Sequence, residues 1–140
     1  MPGSATTYTE QQVLGHTLAF APMTAPTGIF VALCLASPAP TAGSGGVEPV
    51  GGAYARVPGT FAISTTPNIA ANTATLSYPT ATAGWGGIGW FELWSAATGG
   101  NRLYWGPLVD PIDGVTPITR TVLTGDIVRL SAGTVQVRAT

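Results

Sequence analysis

The apolar positions of this chain repeat in two ways. Between Thr9 and Ala21, Val13, Leu14, Thr17, Leu18 and Phe20 recur at helical spacing. Thr9 stands where an N-cap would, with Gln12 three residues on, the spacing of a capping box. Gly15 costs such a helix about 1 kcal/mol relative to Ala, and Pro22 and Pro26 end it. The pattern predicts one short helix over Thr9–Ala21.

From Gly28 onward the rhythm is that of strands. Gly28–Ala36 is a continuous apolar run, as in a strand covered on both faces. Ser37–Gly52 contains three Pro and five Gly and reads as a long loop. Strands are expected at Ala53–Val57, Phe61–Ser64, Thr73–Tyr78, Ile88–Ser95, Arg102–Val109, Pro117–Leu123, Asp126–Ser131 and Thr134–Arg138. Thr98-Gly99-Gly100-Asn101 has the composition of a hairpin turn. About eight short strands, with turn signals every 8 to 12 residues, predict an antiparallel β-sandwich or jelly-roll-like domain that is mainly β. Residues 9–140 form one domain in this reading, and residues 1–8 a flexible N-terminal arm. Alternation places Leu76, Tyr78, Phe91, Leu93, Val128 and Leu130 in the core. On the Ile88–Ser95 strand, Phe91 and Leu93 point one way and Ile88, Trp90 and Trp94 the other.

Composition narrows the function. Of 140 residues only 8% are charged, with five Arg, no Lys and six acids, while 45% are hydrophobic. Without Lys there is no Walker-type or Schiff-base lysine. A net charge of −1 gives no electrostatic basis for binding nucleic acid. The longest apolar run is far shorter than the roughly 20 residues that span a bilayer, and Met1–Thr9 lacks the pattern of a signal peptide. The expectation is synthesis in a cytoplasm, with neither membrane nor nucleic acid as partner. A surface this poor in charge suits a protein that buries much of itself against other subunits.

Candidate chemistry is sparse. His16 is the sole imidazole and has no acid at helical spacing to orient it. Cys34 lies inside an apolar strand, the setting of an inert thiol. Asp110 and Asp113 could be imagined as a calcium loop, but their spacing is not that of an EF-hand, and Asp beside Pro and Gly is ordinary turn chemistry. Glu10, Glu48 and Glu92 are scattered. The expectation is no catalytic residue, no metal and no cofactor. The richest feature is aromatic: Trp85, Trp90, Phe91, Trp94, Tyr104 and Trp105. Such rings can form a carbohydrate platform. They also suit a strand covered on both faces, by the core and by a neighbouring layer or subunit, and Trp90, Trp94 and Trp105 are therefore candidates for a subunit interface.

Several segments, in order, resemble a known family. These are Thr9-Glu-Gln-Gln-Val-Leu-Gly-His, Thr24-Ala-Pro-Thr-Gly-Ile-Phe-Val-Ala-Leu and Val50-Gly-Gly-Ala-Tyr-Ala-Arg-Val. Ile69-Ala-Ala-Asn-Thr-Ala-Thr-Leu-Ser-Tyr-Pro-Thr-Ala-Thr-Ala-Gly-Trp-Gly follows, then Trp90-Phe-Glu-Leu-Trp-Ser-Ala-Ala-Thr-Gly-Gly-Asn-Arg-Leu-Tyr-Trp-Gly. The set is similar to small tailed-bacteriophage virion proteins commonly called phage tail fibre proteins. Glu92 departs from the family, which usually has Gly there, as do Trp90 and the prolines Pro107, Pro111 and Pro117. The resemblance implies no catalytic residue. It implies a structural virion protein, made in the host bacterial cytoplasm, whose partners are other phage structural proteins. The expected role is a head-decoration (cement) protein on the lattice of the major capsid protein, as a homotrimer. The alternatives are a tail or fibre-base component, and a host-surface carbohydrate-binding module.

Overall fold

A computed structural model of the chain describes residues 3–65, 68–110 and 116–138. The elements in chain order are β1 (Ser4–Ala5), α1 (Thr7–Leu18), β2 (Ile29–Leu35), β3 (Val57–Gly59), β4 (Phe61–Thr65), β5 (Asn68–Asn72), β6 (Leu76–Ser77), β7 (Gly86–Trp94), β8 (Arg102–Pro107), β9 (Arg120–Val122), β10 (Arg129–Leu130) and β11 (Gln136–Arg138). The main sheet runs β1-β8-β7-β2-β3, and β9 joins β7 over Gly86–Ile88. Two smaller sheets, β10-β6 and β11-β5-β4, complete a sandwich-like, mainly β fold in which every strand pairing is antiparallel.

The continuous apolar run became β2, the centre of the main sheet, with Val31 to Cys34 fully buried. Its register with β7 pairs Val31 with Leu93 and Leu33 with Phe91, and these face the core. Leu76, Tyr78 and Val128 oppose them, buried, and Leu130 packs half-buried at the margin. The Tyr78 hydroxyl donates to Val31 O at 2.9 Å, which satisfies the one polar atom that this ring brings inside.

Ile88 departs from simple alternation. It was expected beside Trp90, but it lies in the core with Phe91. The register with β2 steps from Cys34↔Trp90 to Leu35↔Ile88, so Gly89 is an extra residue in the ladder. A bulge of this kind turns the following side chains to the opposite face. Gly89 is required there, because a Cβ would stand 2.9 Å from the Ala36 Cα.

The N-terminal segment differs from the free arm expected over 1–8. From Gly3 onward it is laid into the fold. Gly3 N–H donates to Gln136 O and Gly3 O accepts from Arg138 N–H, while Ser4 and Ala5 pair with Trp105 and Tyr104. One strand thus ties the main sheet to β11. The crossing is close enough that a Cβ on Gly106 would meet the Gly3 Cα at 2.6 Å. The helix also begins earlier than expected. Thr6, not Thr9, is its N-cap, and the helix stops at Leu18. The Thr6 hydroxyl lies 2.7 Å from Arg102 O, and Thr9 donates to Leu103 O at 2.7 Å, so buried hydroxyls anchor the first turn to β8.

The strand expected over Thr73–Tyr78 is replaced by β5 and β6 with a bend between them. Asn72 makes the bend. Its buried amide donates to Ala74 O and Ser131 O and accepts from Val135 N–H. Likewise, the strand expected over Ala53–Val57 shifts to Val57–Gly59, because Tyr54 and Arg56 are drawn into polar contacts.

Candidate functional site

The outer face of the main sheet carries a cluster of charged side chains centred on Glu92. Ala32, Glu92 and Trp105 share that face in register, as do Cys34, Trp90 and Pro107. The long loop after β2 folds back over them. Leu35 N–H donates to Val47 O, and Thr7 N–H to Ala42 O. Gly46 lies against Cys34 so closely that a Cβ on it would come within 3.0 Å of the Cys34 Cβ. The cover expected from a neighbouring layer or subunit is therefore supplied, over this part of the face, by the chain's own loop.

Glu92 is the centre of this arrangement and is only 1% exposed. Its carboxylate accepts from Gly46 N–H at 2.9 Å and from the Trp94 indole N–H at 3.2 Å, and Arg102 Nη1 lies 3.5 Å away. Arg102 also donates to Thr41 O at 2.6 Å. A buried carboxylate is tolerable only with such a set of donors.

A second pair adjoins it. Arg56 Nη2 meets Glu48 Oε2 at 2.8 Å, and Arg56 Nε meets Glu48 Oε1 at 3.1 Å, a bidentate pairing. The Arg56 guanidinium lies 4.0 Å over the Trp94 ring and donates to Ala96 O and Gly99 O. The Tyr54 hydroxyl donates to Glu48 at 2.6 Å and accepts from Leu33 N–H at 3.0 Å. Burial first, then the bond to Glu48, push the Tyr54 phenol well above its ordinary range. Burial, reinforced by the charge of Glu92, does the same to the Cys34 thiol. A thiol held protonated in this way is a poor nucleophile.

Two of the five arginines and two of the six acids are thus spent inside the chain, fastening the 37–52 loop and the Gly99–Gly100 turn to the sheet. Nothing in this geometry activates a bond. It is a clasp.

The tryptophans are distributed rather than aligned. Trp85 is buried, edge-on to Tyr54, and donates to Gly52 O. Trp94 is half-buried under Arg56. Trp90 and Trp105 pack together, half-buried, with ring centroids 6.0 Å apart, and Trp90 donates to Ala36 O. The three rings considered for an interface therefore each have a partner within the chain, and none is in the exposed class.

His16 is exposed, with Nδ1 3.2 Å from Ala21 O. Asp110 N–H donates to Thr116 O, and Asp113 lies outside the described residues. No group of three or more His, Cys, Asp or Glu side chains converges among the described residues. The sequence pattern left Glu92 scattered among the acids and gave no partner to Arg102. It missed the pairing of Glu48 with Arg56 and Tyr54, for which Tyr54-Ala-Arg56 beside Glu48 is the only local signal.

With that geometry in place, comparison with known proteins decides the family. The model of the podophage GP4 fiber I protein gp80 family matches residues 4–138. The chain belongs to that family. It is a bacteriophage fibre protein, a structural component of the virion. No curated protein matches the chain.

Proposed function

We propose that this fibre protein is a non-catalytic building block of the tail or fibre base, acting by packing against other virion proteins. The family match over 4–138 carries this reading, and it favours the tail over a cement role on the head lattice. The internal use of charge agrees with it. With two ion pairs turned inward, an already charge-poor chain leaves few charges on its surface, which suits contacts made through shape and apolar area. The partners are other phage structural proteins and further copies of itself.

Immunogold labelling of purified particles, with quantitative mass spectrometry of the virion, tests the placement. The expected outcome is label at the tail end and a copy number far below that of the major capsid protein. Label spread over the head, at a copy number comparable to the capsid protein, would restore the cement reading.

A further inference from the structure

Two apolar features lack a partner among the described residues. The first is the face of α1 and the segment that follows. Only Thr9 of the helix is buried. Leu14 is 56% exposed, Leu18 73% and Phe20 90%. Short helices in proteins owe their stability mainly to packing of an apolar face, yet this face is turned away from its own fold. Phe20 closes the helix at φ 55°, a left-handed conformation normally left to glycine, and Ala21 N–H donates to Gly15 O behind it. The chain accepts an unfavourable backbone position and leaves a large ring in water.

The second feature is a groove of about 350 Å³ between the β11-β5-β4 sheet and the main sheet. Ile29, Phe61, Ile63, Ile69, Leu93 and Tyr104 line it. Ile63 pairs with Ala70, which pairs with core residue Val137, so it lies on the inward face of its sheet. It is nonetheless 79% exposed. No residue of the helical arm lines this groove.

We propose that the α1 arm of one copy docks through Leu14, Leu18 and Phe20 into the Ile63 groove of a second copy. The occupant follows from complementarity. One chain carries a protruding apolar ridge and an apolar recess, each unfilled by the described residues, and a second copy supplies both in equal number. Charge agrees on both sides: no charged residue occurs from Thr17 to Val47, or from Val57 to Phe91. Ridge into recess is a head-to-tail contact, which closes as a ring or continues as a filament. This contact goes beyond the tail-component reading and stands or falls separately from it.

Light scattering on the purified full chain tests it. The wild type is expected to be oligomeric. An arm variant, Leu18→Ser with Phe20→Ser, and a groove variant, Ile63→Lys, should each be monomeric and still unfold in one cooperative transition, since all three side chains are exposed. Ile63→Ser repeats the groove variant without adding a charge. Mixing arm and groove variants should give a one-to-one heterodimer, because one intact ridge then meets one intact groove. A monomeric wild type, an oligomer that survives both Ile63 substitutions, or a mixture that stays monomeric would each overturn the proposal.

Discussion

Replacing Glu92 by Leu puts an apolar side chain of similar size at a fully covered position and removes the carboxylate. Gly46 N–H and the Trp94 indole then lose their shared acceptor, and the Arg102 guanidinium loses its counter-ion. Breaking a buried ion pair on one side costs about 3–5 kcal/mol. An unfolding entropy near 2.1 cal/mol/K per residue gives the 140-residue chain about 0.3 kcal/mol per degree, so the loss should lower Tm by about 10–17 °C. The double variant Glu92→Leu, Arg102→Leu should recover the part that comes from stranding the Arg102 charge, because replacing a whole buried pair with apolar groups is often neutral, while Gly46 N–H and the Trp94 indole stay without their acceptor. The carbonyls that Arg102 would release, at Thr41 and Ala42, lie where water can reach them. Scanning calorimetry on the wild type, the two single variants Glu92→Leu and Arg102→Leu, and the double variant measures the effect. A Tm drop of less than about 3 °C for Glu92→Leu, or a double variant as unstable as the sum of its singles, would refute the clasp as a stabilising device.

Leu93→Ala, at the centre of the core opposite Val31, should cost about 2–5 kcal/mol in urea unfolding; a midpoint unchanged from wild type would show that the inner face is not packed as described. Stability should also fall on the alkaline side. The folded state raises the Cys34 thiol, so its contribution is fully present below the unfolded value near 8.5 and falls above it by about 1.4 kcal/mol per pH unit. Tyr54 and Tyr78, raised mainly by burial, add to the decline from about pH 10. Melting curves of Cys34→Ala should therefore fall less steeply than wild type between about pH 9 and 10, and identical slopes would refute the assignment.

Much of the fold follows from patterns that act locally. The apolar run of β2 and the alternation of Phe91 and Leu93 report burial directly, because a strand has only two faces. What escaped reading depends on partners distant in sequence. Ile88 changes sides because of Gly89, whose need to be glycine arises from Ala36 across the sheet. Asn72 looks like a strand residue until Ser131 and Val135 claim its amide. Gly3 to Ala5 carry no large apolar side chain to mark a strand, yet their backbone is paired. The helix was legible as a pattern, but the pattern does not say what its apolar stripe meets, and only the packing reveals that it faces water. For the polar cluster, Glu92 inside an apolar strand was visible; the loop that brings Gly46 to it was not.

The bridge from Gly3 to β11 has a kinetic consequence. It joins segments from opposite ends of the described chain, and it is the strand that laces the two layers together. Contacts of such long sequence separation form late, because the loop they close must lose its freedom first. The two layers can therefore collapse around β2 and β7 before they are fastened. In the native state the same strand is short and lies at a sheet edge, so opening should start there. Amide exchange should then be fast at Ser4 and Ala5 and slow at Val31 and Leu33, and the seam between the layers would be the place where this protein loosens first.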